Sequence, residues 1–115
     1  MSNEQIKGIE ESIKHSKKLV DLGDSLERLR NNRDFKKIIL DGYMEQECIR
    51  LVHLKSEPTF QTAEHQASIV TQMDGIGSLF QYLNKVLVQS NMAVRSIASD
   101  EAVREEILAE ELSND

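Results

Sequence analysis

At 115 residues the chain is sized for one domain, and 30% charged residues, with no apolar run near the roughly 20 residues a bilayer requires, exclude a membrane span. Aromatic residues at 4% and the absence of tryptophan exclude stacking platforms for single-stranded nucleic acid and leave little for a large globular core. The net charge of −6 is localised: residues 1–58 and 59–98 are each neutral, and the excess lies after position 98, where Arg104 stands against Asp100, Glu101, Glu105, Glu106, Glu110, Glu111 and Asp115.

Read in chain order, the segments are helical. Ile6, Ile9, Ile13 and Val20 share one face of a first segment over 4–30, while Leu19, Leu22, Leu26 and Leu29 follow the same spacing moved back by one residue. The change of register falls near Gly23, where helix propensity is weakest, and predicts a bend there. Asn31-Asn32-Arg33-Asp34 supplies stop and start signals together, with Asn tolerant of a left-handed cap and Asp34 able to cap the next helix. That helix, 34–56, carries Phe35, Ile38, Ile39, Leu40, Tyr43, Met44, Ile49, Leu51, Val52 and Leu54 on more than one stripe, which predicts neighbours on two sides. Glu57-Pro58 ends it, because the residue before proline avoids the helical region and proline cannot continue the ladder.

Thr59 or Thr62 can then cap a long helix over 62–98. Its apolar residues recur 4-3-4-3 as Ile69, Met73, Ile76, Phe80, Leu83, Leu87, Ser90, Val94 and Ile97, the spacing of a coiled-coil seam with Ser90 as its one polar break. Gly75 and Gly77 weaken the helix inside that seam and predict close approach of another helix, with Gly42 as a candidate opposite number. Ser99 or Asp100 looks like the cap of a short acidic helix over 100–112 bearing Val103, Ile107, Leu108 and Leu112. At 1.5 Å per residue the 34–56 helix spans about 33 Å and the seam helix about 55 Å. The surplus around Leu87, Val94 and Ile97 therefore needs cover from the N-terminal segment or from another subunit, and hydrophobic reasoning favours a homo-oligomer. The predicted fold is all-α: a single domain built as an elongated helical hairpin or three-to-four-helix bundle, with a long coiled-coil-like helix and a short C-terminal helix.

The chemistry-bearing side chains form no constellation. His15, His53 and His65 are scattered and lack the i, i+4 pairing of a helical zinc site, so no metal ligand is assigned. His53, beside Val52 and Leu54, reads as partly buried; Asp41, Glu45 and Glu47 read as solvated carboxylates; Cys48 reads as a small buried apolar residue. A lone cysteine and a start without a secretory signal predict synthesis in a reducing cytoplasm. No phosphate loop, dinucleotide fingerprint or serine elbow is present, and the chain reads as non-enzymatic, without catalytic residues and without a cofactor.

Arg28, Arg30, Arg33, Lys36 and Lys37, preceded by Lys14, Lys17 and Lys18, form the one basic cluster. Glu27 and Asp34 interrupt it, and the acidic tail would be repelled by the same polyanion, which argues against nucleic acid. The charges predict instead that the acidic arm, through Glu105, Glu106, Glu110 and Glu111, docks on the 28–37 patch of its own or a neighbouring chain.

The stretch Asn32 to Glu47, followed by Arg50-Leu51-Val52 and Glu57-Pro58, resembles a group of small, acidic, helical proteins encoded by tailed bacteriophages. Met73-Asp74-Gly75-Ile76-Gly77 and Glu105-Glu106-Ile107-Leu108-Ala109-Glu110-Glu111 resemble the same group, so the resemblance covers about two thirds of the chain through structural rather than catalytic motifs. It implies a phage structural or assembly role, with self-association or docking to a virion protein, in the host cytoplasm during synthesis and then in the virion. The contrasting reading is a small phage-encoded regulatory binder that inhibits or redirects a host protein.

Overall fold

Asn32 shows how local chemistry sets the element boundaries. Its backbone is extended, and its side-chain oxygen accepts from the backbone N–H groups of Asp34 at 3.0 Å and Phe35 at 2.9 Å, so Asn32, and not Asp34, is the N-cap. In this computed structural model, which describes residues 2–114, the elements are α1 (Ser2–Arg30), α2 (Arg33–Phe35), a π-helix (Lys36–Gln46), α3 (Glu47–Ser56), a 3-10 turn (Pro58–Phe60) and α4 (Ala63–Ser113). The fold is all-α, and no strand occurs among the described residues. Asp115, counted in the acidic tail, lies outside them.

Two boundaries follow the sequence reading. Glu57 is extended at φ −67°, ψ 125°, and Pro58 opens the 3-10 turn. Thr62 caps α4, its hydroxyl accepting from the His65 N–H at 3.2 Å and its carbonyl from Gln66 at 3.0 Å. Two side chains complete this junction. The Gln61 amide donates to the carbonyls of Lys55 and Glu57, and the Gln66 amide to those of Lys55 and Phe60, which satisfies backbone acceptors left open where α3 ends.

Four expectations are corrected. α1 runs through Gly23 without a break, and Asn31 keeps a negative φ, closing the helix instead by donating its side-chain amide to the Glu27 carbonyl at 3.0 Å. No separate acidic helix exists: Ser99 and Asp100 are interior to α4, because Asp100 accepts from the Ser12 hydroxyl at 2.7 Å rather than capping, and no glycine or proline interrupts the turn. The 34–56 helix is π-helical for half its length. Leu40, Met44 and Cys48 recur at intervals of four, wider than an α-helix needs to hold a straight stripe, and the wider i to i+5 turn keeps them aligned. Gly42 belongs to this turn: a Cβ there would stand 3.1 Å from the Lys37 carbonyl oxygen, five residues back.

The described residues cluster into two compact units. In the unit formed by 26–85, Leu51 is fully buried, and with Ile69 and Ile76 it forms a core against which Cys48, Leu54, Phe60 and Met73 pack. Each side chain of that size withdrawn from water contributes about 1.5–3 kcal/mol. The Phe60 and His65 rings meet at 4.9 Å over the turn.

In the unit formed by 1–25 and 86–115, α1 and the later part of α4 run antiparallel. Ser2 donates to Glu111, Ser12 to Asp100, Glu10 stands 4.0 Å from Arg104, and Gly23 faces Ser90. The ladder is regular. Ile6, Ile9, Ile13, Ser16, Val20 and Gly23 turn inward on α1; Val86, Ser90, Ala93, Ile97, Asp100, Arg104, Ile107 and Glu111 turn inward on α4. The middle of this seam is small, and a Cβ built on Gly23 would overlap both the Cβ and the hydroxyl of Ser90. Gly23 is thus a point of close approach rather than a bend, and Ser90 is one half of a small-residue contact within the chain.

Candidate interaction surfaces

The predicted seam divides into two rows. Every seventh position from Ile69, namely Ile76, Leu83, Ser90 and Ile97, is buried or half-buried, and the row continues through Arg104 and Glu111. The alternate row is different. Met73 is half-buried against the core of the 26–85 unit and Leu87 is half-buried, but Phe80 is 59% and Val94 55% exposed. Ala93, one residue before Val94, is buried in its place, and Val86 is buried beside the half-buried Leu87. The cause is the partner: from position 86 onward α4 packs on α1, whose small residues admit Ala93, and hydropathy alone scores Val94 above Ala93. Leu87 and Ile97 are therefore covered from the N-terminal segment of the same chain and not by a second subunit, while Val94 stays exposed.

The two-sided helix is also revised. Leu51 and its neighbours bury one face, whereas Ile38, Ile49, Val52 and Tyr43 lie exposed on others. His53 is exposed rather than partly buried. Gly75 approaches Tyr43, whose hydroxyl would touch an added Cβ at 3.5 Å, and not Gly42. Cys48 packs against the core but is half-buried rather than buried.

Within the 26–85 unit the π-helix, α3 and α4 leave an open apolar groove of about 580 Å³, lined by Leu40, Met44, Cys48, Val52, Met73, Ile76, Gly77 and Phe80. No charged residue lines it. Phe80 forms part of its wall, and a Cβ added to Gly77 would meet nothing within 4 Å, so the groove is open above that glycine.

The candidate docking charges separate by unit. Arg28, Arg30, Arg33, Lys36 and Lys37 are all exposed in the 26–85 unit, and Arg30 and Lys36 share a notch with Glu27, so the surface is mixed in sign. Glu105, Glu106 and Glu110 are exposed on α4, while Glu111 is half-buried and accepts from Ser2. Among the described residues, one pair has shifted titration, Glu47 and Arg50. The Arg50 guanidinium donates to Glu47 at 2.8 Å, which holds the Glu47 carboxyl below the ordinary glutamate value and raises Arg50. Both are at the surface, where such a pair is structural.

Among the described residues no cluster of His, Cys, Asp and Glu could hold a metal, and no helix is long and apolar enough to cross a membrane. No protein-family model, curated protein or solved structure matches this chain.

Proposed function

We propose that this chain is a non-enzymatic structural or assembly protein of a tailed bacteriophage, acting through helix–helix self-association and docking to virion proteins. The observation that carries the reading is the uncharged apolar groove of the 26–85 unit with Phe80 exposed at its wall. An open apolar trough of that kind on a helical unit is a surface for another helix. The phage context rests on the resemblance of Asn32 to Glu47 and of the Met73 to Gly77 and Glu105 to Glu111 stretches.

Mass spectrometry of purified particles tests it. The chain should be present at many copies per particle, and light scattering of the purified protein should give a defined oligomer. Absence from particles, together with recovery bound to one host protein, would replace this reading with that of a regulatory binder.

A further inference from the structure

The groove has a shape and a charge pattern that select its occupant. Phe80 and Gly77 lie one turn apart on the same stretch of α4, the first projecting from the groove wall and the second leaving the groove open. Glycine inside a helix forfeits about 1 kcal/mol relative to alanine, and among the described residues no neighbouring atom lies within 4 Å of a Cβ built on Gly77. A ring brought to that point would meet backbone flanked by Ile76 and Met73. The charges are equally sparse. Between His65 and Arg95 the only acidic or basic residues on α4 are Asp74 and Lys85, both exposed and opposite in sign.

We infer that the groove is filled by a second copy of this chain, with the two α4 segments antiparallel about a two-fold axis passing between Ser78 and Leu79. That axis sets Phe80 of each copy level with Gly77 of the other, so each ring enters the opposite groove. Asp74 then stands two residues from level with Lys85 of the other copy, about 3 Å along the axis, within reach of a lysine side chain. A parallel pairing would set like charge against like. The arrangement is isologous: one patch supplies both knob and hole. This inference rests on the self-association proposed above and names the surface and orientation that would produce it.

Analytical ultracentrifugation of the full chain tests it with five variants. Gly77→Leu adds its Cβ where nothing lies within 4 Å and favours helix, yet it occupies the space meant for Phe80; it should weaken dimerisation at least about ten-fold while raising thermal stability of the monomer. Phe80→Ala should weaken it comparably with little change in monomer stability, since the ring is exposed. Asp74→Lys and Lys85→Asp should each weaken the dimer by about 2- to 30-fold at low salt, two copies of a surface pair being lost to repulsion. The double reversal should restore wild-type association.

A dimer indifferent to Gly77→Leu overturns this interface but leaves self-association standing. A double reversal no better than the single variants overturns the antiparallel orientation. A wild-type chain that stays monomeric while its groove binds an apolar fluorescent probe overturns both the interface and self-association. A variant-sensitive dimer absent from particles supports the interface and removes only the assembly role.

Discussion

Gly23 and Ser90 show why small residues matter more here than hydropathy suggests. Gly23→Ala should destabilise the chain by about 1–3 kcal/mol, because overpacking outweighs a helix-propensity gain of about 1 kcal/mol. Gly8→Ala, where an added Cβ meets nothing within 4 Å, should instead stabilise by about 0.5–1 kcal/mol. Ser90→Gly should recover part of the Gly23→Ala loss in a double-mutant cycle, and Ser90→Leu should destabilise rather than reinforce the seam; urea denaturation reads all four. Glu47 offers a separate check. Its carboxyl should titrate below the ordinary glutamate value by NMR and return to that value in Arg50→Ala. The sign follows: a lowered folded-state value means that any stability from the pair is present above the unfolded glutamate value and fades as pH falls through the folded one.

At the scale of elements, much was legible and the exceptions have causes. Asn31-Asn32 and Pro58 carry backbone restrictions that no tertiary contact overrides, so the ends of α1 and α3 were readable, as was the Thr62 cap. Continuity through Gly23 and Ser99 was not, since each depends on a distant partner: Ser90 in one case and Ser12 in the other. The π-helix left a signal in the four-residue recurrence of Leu40, Met44 and Cys48, which an α-helical template reads as a second stripe. Asn32→Ala removes a cap that bonds two N–H groups and should cost about 1 kcal/mol. Leu51→Ala, in the closed core, should cost about 2–5 kcal/mol, while Phe80→Ala should leave the isolated chain nearly unchanged, the reverse of what a seam closed within one chain would give. Chemical denaturation at a concentration below dimerisation separates the two.

For the molecule as a whole, the acidic excess is not simply a solvated tail. Asp100 and Glu111 take hydroxyl hydrogen bonds from α1, and Arg104 stands beside Glu10, so part of the arm is mortared into one unit. Truncation after Ala98 removes Ile107 from the rung of Ile6 and Arg104 from that of Ile9. Hydrogen exchange should then show lost amide protection over 6–13, with the amides near Leu51 and Ile69 still protected; loss everywhere would contradict two separable units. The candidate groove was half legible: Met73, Ile76 and Phe80 stood out by spacing and Gly77 by its weak helix propensity, but the wall from Leu40 to Val52 required the π-helix to align it.

The pairing of α1 with positions 86–113 also sets an order in time. A ribosome that has released residue 85 has supplied everything the Leu51 core requires, whereas Ile6, Ile9 and Ile13, made first, must wait until the whole 26–85 unit has been made and their mates near Asp100 and Arg104 follow it. On a polysome, nascent copies sit side by side during that interval, and a neighbour's freshly made α4 can satisfy the waiting helix before its own arrives.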